Sequence, residues 1–339
     1  MVTLKDVAKA AGVSAMTVSR VIHGNNSGVS QETRIKIQEM IDAMGYVPNA
    51  SARSLVGSAS HIITVLVSRR HYENPLSSPY NAELLGVIAN LVQKEGYCLM
   101  IRLVDTFQDI TPSLLSWHSE GAIFMGVFDS EMQEIQNDNK IPLIFTDSYS
   151  SMRQIINVGI DDFKGGYLAA SHLAELGHKH FAFIGPSIQE NGVIRHRYEG
   201  FCLGLNDFGI HDDSITVYTS DNEKHQEEAF QDICRRHNEL TSIFAASDMI
   251  AANLIQELHF SGYQIPADYS IIGFDNQLVG RFLSPQLTTI SQDVHRKAEL
   301  AVELLFRHIK NPMAPAENIV SDVQLIERLS TGPISGSGN

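Results

Sequence analysis

Residues 13–24 read VSAMTVSRVIHG, with one arginine, Arg20, among small and uncharged neighbours. Val13, Val18, Val21 and Ile22 can share one packed side of a helix, which turns Ala15, Met16 and Arg20 outward. Ser14 stands where an N-cap is needed, and the helix is predicted to run to about Ile22. Upstream, Leu4, Val7, Ala8 and Ala11 follow the 3.6-residue period, and Gly12 permits a sharp break. Downstream, Ser30 opens a third helix with Ile37, Met40, Ile41 and Met44 on one face, ended by Gly45. Three short helices with a glycine turn between the first two make a helix-turn-helix unit.

Pro48 then stops regular structure. NASARSL (49–55) is long enough for about two helical turns. A helix that short is marginal in water, so it is expected to order only when something holds it. VGSAS (56–60) is a small-residue linker. From Ile62 the texture changes to apolar β-rich runs separated by helical stretches: IITVLV, YCLMIRLV, GAIFMGV, PLIFT, INVGI, HFAFIG, ITVYT, SIFAA and YSIIGF. Such alternation indicates parallel sheets buried on both faces. The runs exceed one ordinary sheet, which predicts two doubly wound lobes.

Composition sets the outer limits. At 339 residues the chain suits two or three domains, and 43% hydrophobic content is enough for real cores. No apolar run reaches membrane-span length, and MVTLKDVAKAAG lacks a signal peptide's apolar centre, so a cytoplasmic protein is expected. The net charge of −14 is uneven: residues 1–58 hold six Lys/Arg against four Asp/Glu, leaving 19 and 35 in the rest. A slightly basic head on an acidic body permits a polyanionic partner without requiring one. Cys98, Cys202 and Cys234 are far apart and form no CxxC pair, so reduced and mostly buried thiols are expected, with neither a disulfide framework nor a metal site. The lone Trp117 is expected to pack rather than to stack on a ligand.

The strand ends carry acids. Asp147 follows PLIFT, Asp161 follows INVGI, Asp248 follows SIFAAS, and Asp275 ends the YSIIGF strand. In open α/β sheets ligands bind beyond the carboxyl ends of strands, and carboxylates accept the paired hydroxyls of a sugar. Arg197, in HRYEGF, can bridge further oxygens. Paired carboxylates also suit general acid/base catalysis. No GxSxG, HExxH, Walker A or GxGxxG accompanies them, so neither an enzyme nor a cofactor is expected.

The residues resemble the LacI/GalR family of bacterial transcription repressors. The likeness rests on TLKDVAKAAGVSAMTVSRVI (3–22), GYVPNASARSL (45–55), VGIDDFKGGYLAASHLAELGHKHFAFIGP (158–186), RYEGF (197–201), SDMIAANLIQELHFSGYQIPADYSIIGFDN (247–276), SPQLTTISQ (284–292) and ERLSTG (327–332), and spans nearly the whole chain. It implies an all-α helix-turn-helix head, 1–47, a hinge helix and linker, 48–60, and an α/β core, 61–331, like that of periplasmic sugar-binding proteins. The core would have two doubly wound parallel-sheet lobes, 61–160 plus 292–319 and 161–291 plus 320–331, before a tail, 332–339.

The resemblance also implies roles. Ala15, Met16 and Arg20 would read base edges, Arg20 through O6 and N7 of a guanine. Ser14, Thr17 and Ser19 would meet phosphates. Asn49, Ala50, Ala52 and Arg53 would line the hinge surface, and Leu55 would wedge the minor groove. Ser51 departs from the usual aliphatic residue there. Arg197 and Asp275 would hold the effector, with Asp248 nearby and Gln292 from a crossover; Asp147 belongs to the same candidate set.

The loop SRRHYENPLSSPYNAEL (68–84) is longer than the family's usual one. Its Tyr80 or Tyr72 could stack on a sugar ring. Arg69, Arg70 and His71 could meet a phosphorylated sugar or an organic acid. The tail PISGSGN carries no leucine heptad, so a homodimer on a near-palindromic operator is expected. Three alternatives stay open: a sugar-binding transport protein without a DNA role, a doubly wound enzyme, and a regulator with a non-sugar effector such as an organic acid or nucleobase.

Overall fold

The computed structural model describes residues 2–22, 24, 27–47, 60–69, 74–106, 108, 110–126, 140–148, 155–188 and 192–334. It divides into two compact units, 1–60 and 61–339.

The first unit holds helices α1 (Leu4–Ala11), α2 (Ala15–Ile22) and α3 (Gln31–Met44). Each start is capped as the sequence prescribes. Thr3 and Asp6 form a reciprocal capping box on α1. Ser14 Oγ accepts the Thr17 amide at 3.1 Å, and Ser30 caps α3. Gly12, at φ 71°, closes α1 in the left-handed conformation that makes the turn into α2. Val7, Ala8, Ala11, Val18 and Ile37 form the small core, with Val13, Val21 and Ile22 packed against it. Ala15 also packs there, half-buried, and so departs from the outward position expected of it.

The second unit holds β1 (Ile62–Ser68), α4 (Pro79–Lys94), β2 (Cys98–Val104), α5 (Ile110–Ser116), β3 (Gly121–Met125), β4 (Leu143–Thr146), β5 (Ile156–Ile160), α6 (Asp162–Glu175), β6 (Phe181–Gly185), α7 (Val193–Asp207) and β7 (Ile215–Thr219). It continues through α8 (Glu223–Arg235), β8 (Ser242–Ala245), α9 (Asp248–Phe260), β9 (Ser270–Asp275), α10 (Leu278–Phe282), β10 (Thr288–Ser291), α11 (Val294–Lys310), β11 (Asn318–Ser321) and β12 (Gln324–Ile326). Two six-stranded sheets result, ordered β11-β5-β4-β3-β1-β2 and β12-β10-β9-β8-β6-β7. The pairings are parallel except β10 with β12. This is the two-lobed, doubly wound architecture the apolar runs predicted.

The chain passes between the sheets after Ile160, after Ser291 and after Ser321. The third passage falls two residues beyond 319, because β11 stays paired with β5 through Ser321. The short strands β10, β11 and β12 were not read from the sequence. The edge strand β2 is largely exposed rather than buried on both faces.

Two further expectations fail. Trp117 is 54% exposed, because α5 ends at Ser116 and leaves the indole on the surface. The three thiols are free, but Cys98 is exposed and Cys202 and Cys234 are half-buried. Cys98 begins an edge strand, which has only one neighbour to cover it.

Lobe two is organised by one close contact. α6 and α7 meet backbone to backbone: a Cβ on Gly166 would lie 1.9 Å from Arg197 O, and one on Gly200 1.9 Å from Phe163 O. Only glycine allows that approach, and it fixes Arg197 beside the start of α6. Gly200→Ala is expected to force the helices apart. Its cost should reach the upper end of the ~1–3 kcal/mol typical of overpacking, read as a lower urea midpoint of the intact chain. An unchanged midpoint would contradict the contact.

Candidate functional site

In the first unit, α2 buries Val18 and presents Met16, 67% exposed, beside an exposed Arg20. Among the hydroxyls proposed for phosphate, Ser14 Oγ and Thr17 Oγ1 lie 2.9 Å apart and bond one another while Ser14 caps the helix. Ser19 is half-buried. The positions proposed for the hinge, Asn49, Ala50, Ala52, Arg53 and Leu55, lie outside the described residues, as do Arg70, His71 and Tyr72.

In the second unit, the carboxyl ends of the two sheets are joined by a continuous polar chain. In lobe one, Asp147 directly follows β4 and receives the Tyr80 hydroxyl on Oδ2 at 2.6 Å. Its Oδ1 receives Lys297 Nζ, also at 2.6 Å. Lys297 further donates to the Tyr80 oxygen at 2.9 Å and to Gln292 Oε1 at 2.7 Å. Gln292, on the crossover after β10, donates through Nε2 to Asp275 Oδ1 at 2.6 Å. Asp275 ends β9 in lobe two, with Arg197 Nη2 at 3.9 Å. Arg197 donates from Nε to Asp162 at 2.7 Å and from Nη1 to the Ala246 carbonyl at 2.6 Å, and lies 3.5 Å above the Phe274 ring.

The backbone at both acids is unusual. Asp147 has φ 55° and Asp275 φ 106°. The first is a left-handed conformation that Asp tolerates; the second is rare for any side chain and marks stored strain. Strain of this kind collects at binding sites, where surrounding contacts hold it in place. Burial pushes the Asp275 carboxyl up to about 6, against the opposing pull of Arg197. Burial, and then the neighbouring Asp147, hold the Tyr80 hydroxyl well above its ordinary value.

The structure thus brings together Tyr80, Asp147, Arg197, Asp275 and Gln292, all named from the sequence. It separates three others. Asp248 is fully buried, its oxygens taken by the Gln277 amide and the Thr289 hydroxyl at 2.6 Å each, and it ties α9 to the β9–α10 turn and to β10. Asp161 caps α6 through the Lys164 amide at 2.8 Å. Arg69 makes a two-bond pair with Asp105, just beyond the end of β2. Tyr80 joins through its hydroxyl rather than by an open ring face.

Sequence reasoning missed Lys297 and Asp162. Lys297 stands in HRK, which reads as a solvated run, yet it falls on the stripe of Val294, Ala298, Ala301 and Leu304 that α11 buries. A lysine inside an apolar stripe was the available signal, since a buried ammonium demands a carboxylate partner. Asp162 is the second acid of the IDDF pair; the first caps the helix and the second turns inward to Arg197.

Residues 3–49 match the model of bacterial regulatory proteins of the lacI family, and residues 170–331 match a periplasmic binding protein-like domain. The HTH-type transcriptional regulator MalR of Clostridium butyricum is 31% identical over 96% of this chain and 98% of its own. The chain belongs to the LacI family. Its transcription-regulator function follows from that membership, as the sequence anticipated. Among solved structures, a Lac repressor dimer bound to operator and the anti-inducer ONPF superposes with TM-score 0.84 and 26% identity, covering 98% of this chain and 99% of that one. A LacI family regulator from Enterococcus faecium with bound ribose gives 0.71 at 27% identity, covering 81% and 100%.

The second buried acid supplies a pH signature. Burial, reinforced by Asp275, raises Asp248 to about 8. Folding therefore takes up protons on Asp248 and Asp275 that the unfolded chain lacks above its ordinary carboxylate range, so these groups stabilise at low pH and lose that effect as pH rises. Asp248→Asn keeps an acceptor for the Gln277 amide and removes the titration, while its NH2 now faces Thr289 Oγ1, which must accept where it donates in the parent. The variant's stability is expected to be flatter than the parent's between pH 6 and 8 in urea melts. Parallel pH profiles would show that Asp248 does not titrate there.

Proposed function

We propose that this LacI-family protein is a dimeric repressor in the cytoplasm that binds a near-palindromic operator and responds to a small carbohydrate held between the lobes of its core. The observation that carries the DNA half is the α2 surface. One side chain with five hydrogen-bond donors, Arg20, stands exposed beside Met16 on a helix whose opposite face is buried. A second recognition helix sits in the major groove in helix-turn-helix proteins, where arginine pairs with guanine and an apolar surface suits a thymine methyl. Ser14, Thr17 and Ser19 would meet phosphates, and Asn49, Ala50, Ala52 and Leu55 would form the hinge contact. The operator-bound Lac repressor dimer supports this arrangement.

The effector half rests on the strained Asp275 with Arg197, Gln292, Asp147 and Tyr80. Asp275 offers a carboxylate to ligand hydroxyls, and Arg197 is held in place by Asp162. The two cations of the group are already paired with Asp147 and Asp162, which favours an uncharged sugar over a phosphorylated one. The ribose-bound relative supports a carbohydrate. A ligand that binds open and closed lobes differently shifts their balance, and the regulator's DNA affinity with it. The group carries binding geometry and no nucleophile set against a base, which argues against turnover.

Selection of genomic fragments by the purified full chain gives the operator. On it, Arg20→Ala is expected to cost about 1–3 kcal/mol and to relax choice at one guanine in each half-site, measured by fluorescence anisotropy. An equal loss on random DNA would reduce Arg20 to a phosphate contact. For the effector, a thermal-shift screen of neutral sugars, sugar phosphates and organic acids is expected to give a ligand that raises the melting temperature of the parent but not of Asp275→Ala. A shift that survives in the variant would remove Asp275 from the site.

A further inference from the structure

We propose that Lys297 is a positioning residue that couples the effector-facing carboxylate of lobe two to the acid of lobe one, with Gln292 as the link. The inference rests on the effector reading of Asp275 above, and adds how occupancy there is passed on.

The Lys297 side chain is wholly buried in the first turn of α11. An ammonium has three hydrogens, and here each has an acceptor: Asp147 Oδ1, the Tyr80 oxygen and Gln292 Oε1. Neutralising the charge needs only Asp147. The third hydrogen bond goes to the crossover, and that is the informative one. The Gln292 amide has only one workable orientation. Turned over, its NH2 would face the ammonium and its carbonyl would face the Asp275 carboxylate, placing donor against donor and acceptor against acceptor. The direction of the chain is therefore set: Lys297 donates to Gln292, and Gln292 donates to Asp275 at 2.6 Å.

Ligand hydroxyls arriving at Asp275 compete with Gln292 Nε2 for the carboxylate. When that amide turns away, Lys297 loses one acceptor and leans on Asp147 and Tyr80. Tyr80 lies in the first turn of α4, which packs against α11. Occupancy in lobe two is thereby delivered to two helices of lobe one. Lys297 and Asp275 do this without touching.

The test is a double-mutant cycle on the full chain, read from urea unfolding. Lys297→Met and Asp275→Ala are made singly and together, first with Gln292 present and then in a Gln292→Ala background. With Gln292 in place, the two changes are expected to be non-additive by at least about fivefold in the unfolding equilibrium. In the Gln292→Ala background they should become additive. Additivity with Gln292 present would overturn the coupling. Non-additivity that persists without Gln292 would assign it to direct charge attraction and equally overturn the link.

If Lys297→Met does not fold, hydrogen exchange decides the matter. Asp275→Ala alone should speed exchange of the Ala82 amide, which donates to Ser78 O at the start of α4, and should not do so once Gln292 is alanine. Unchanged exchange in α4, or the same increase in both backgrounds, counts against the proposal. None of these measurements uses a ligand. A sugar screen that fails therefore bears on the effector reading, and an additive cycle bears on the relay.

Discussion

A buried ammonium cannot be left unanswered, and the arrangement of this core follows from how Lys297 is answered. Taking a charge of that size out of water costs several kcal/mol unless a partner of opposite sign is placed against it. Asp147 supplies the partner, and its position at the end of β4 brings the tip of one sheet to the first turn of α11. Tyr80 and Gln292 complete the shell, so α4, β4, α11 and the crossover after β10 converge on a single nitrogen. Lobe two repeats the logic with a guanidinium: Arg197 is buried, stacked on Phe274 and paired with Asp162. Each lobe carries one enclosed cation against one acid, and Asp275 lies between the two pairs.

Most of the fold was legible because it depends on short-range rules. The caps at Ser14 and Ser30 and the breaks at Gly12 and Gly45 each need only a few neighbouring residues. The apolar strands stood out because parallel strands covered on both faces have no polar alternation. The strands β10 to β12 were missed for the opposite reason: at three or four residues they are held by pairing partners distant in sequence. Trp117 and Cys98 were misread because residue type gives an average burial, whereas helix ends and sheet edges decide the particular case.

The site divides along similar lines. Acids at strand ends were found because topology alone brings them to one rim. Which acid meets the crossover was not legible, since Asp248 and Asp275 both lie at the carboxyl tips of neighbouring strands and differ only in what surrounds them. Asp248 meets an amide and a hydroxyl from its own lobe, while Asp275 meets a glutamine from the crossover. Lys297 was hidden by its charged neighbours, His295 and Arg296, although its place on the helix gave it away.

The glycine seam between α6 and α7 limits how this lobe can be altered. A contact made of main chain alone cannot be retuned by swapping one side chain for another; it is either kept or destroyed. The spacing of these two helices is therefore set by backbone alone, and no side-chain exchange at the seam can adjust it by degrees. Side chains at the strand tips are under no such restriction, so the chemistry of the rim can change while the frame behind it stays as it is.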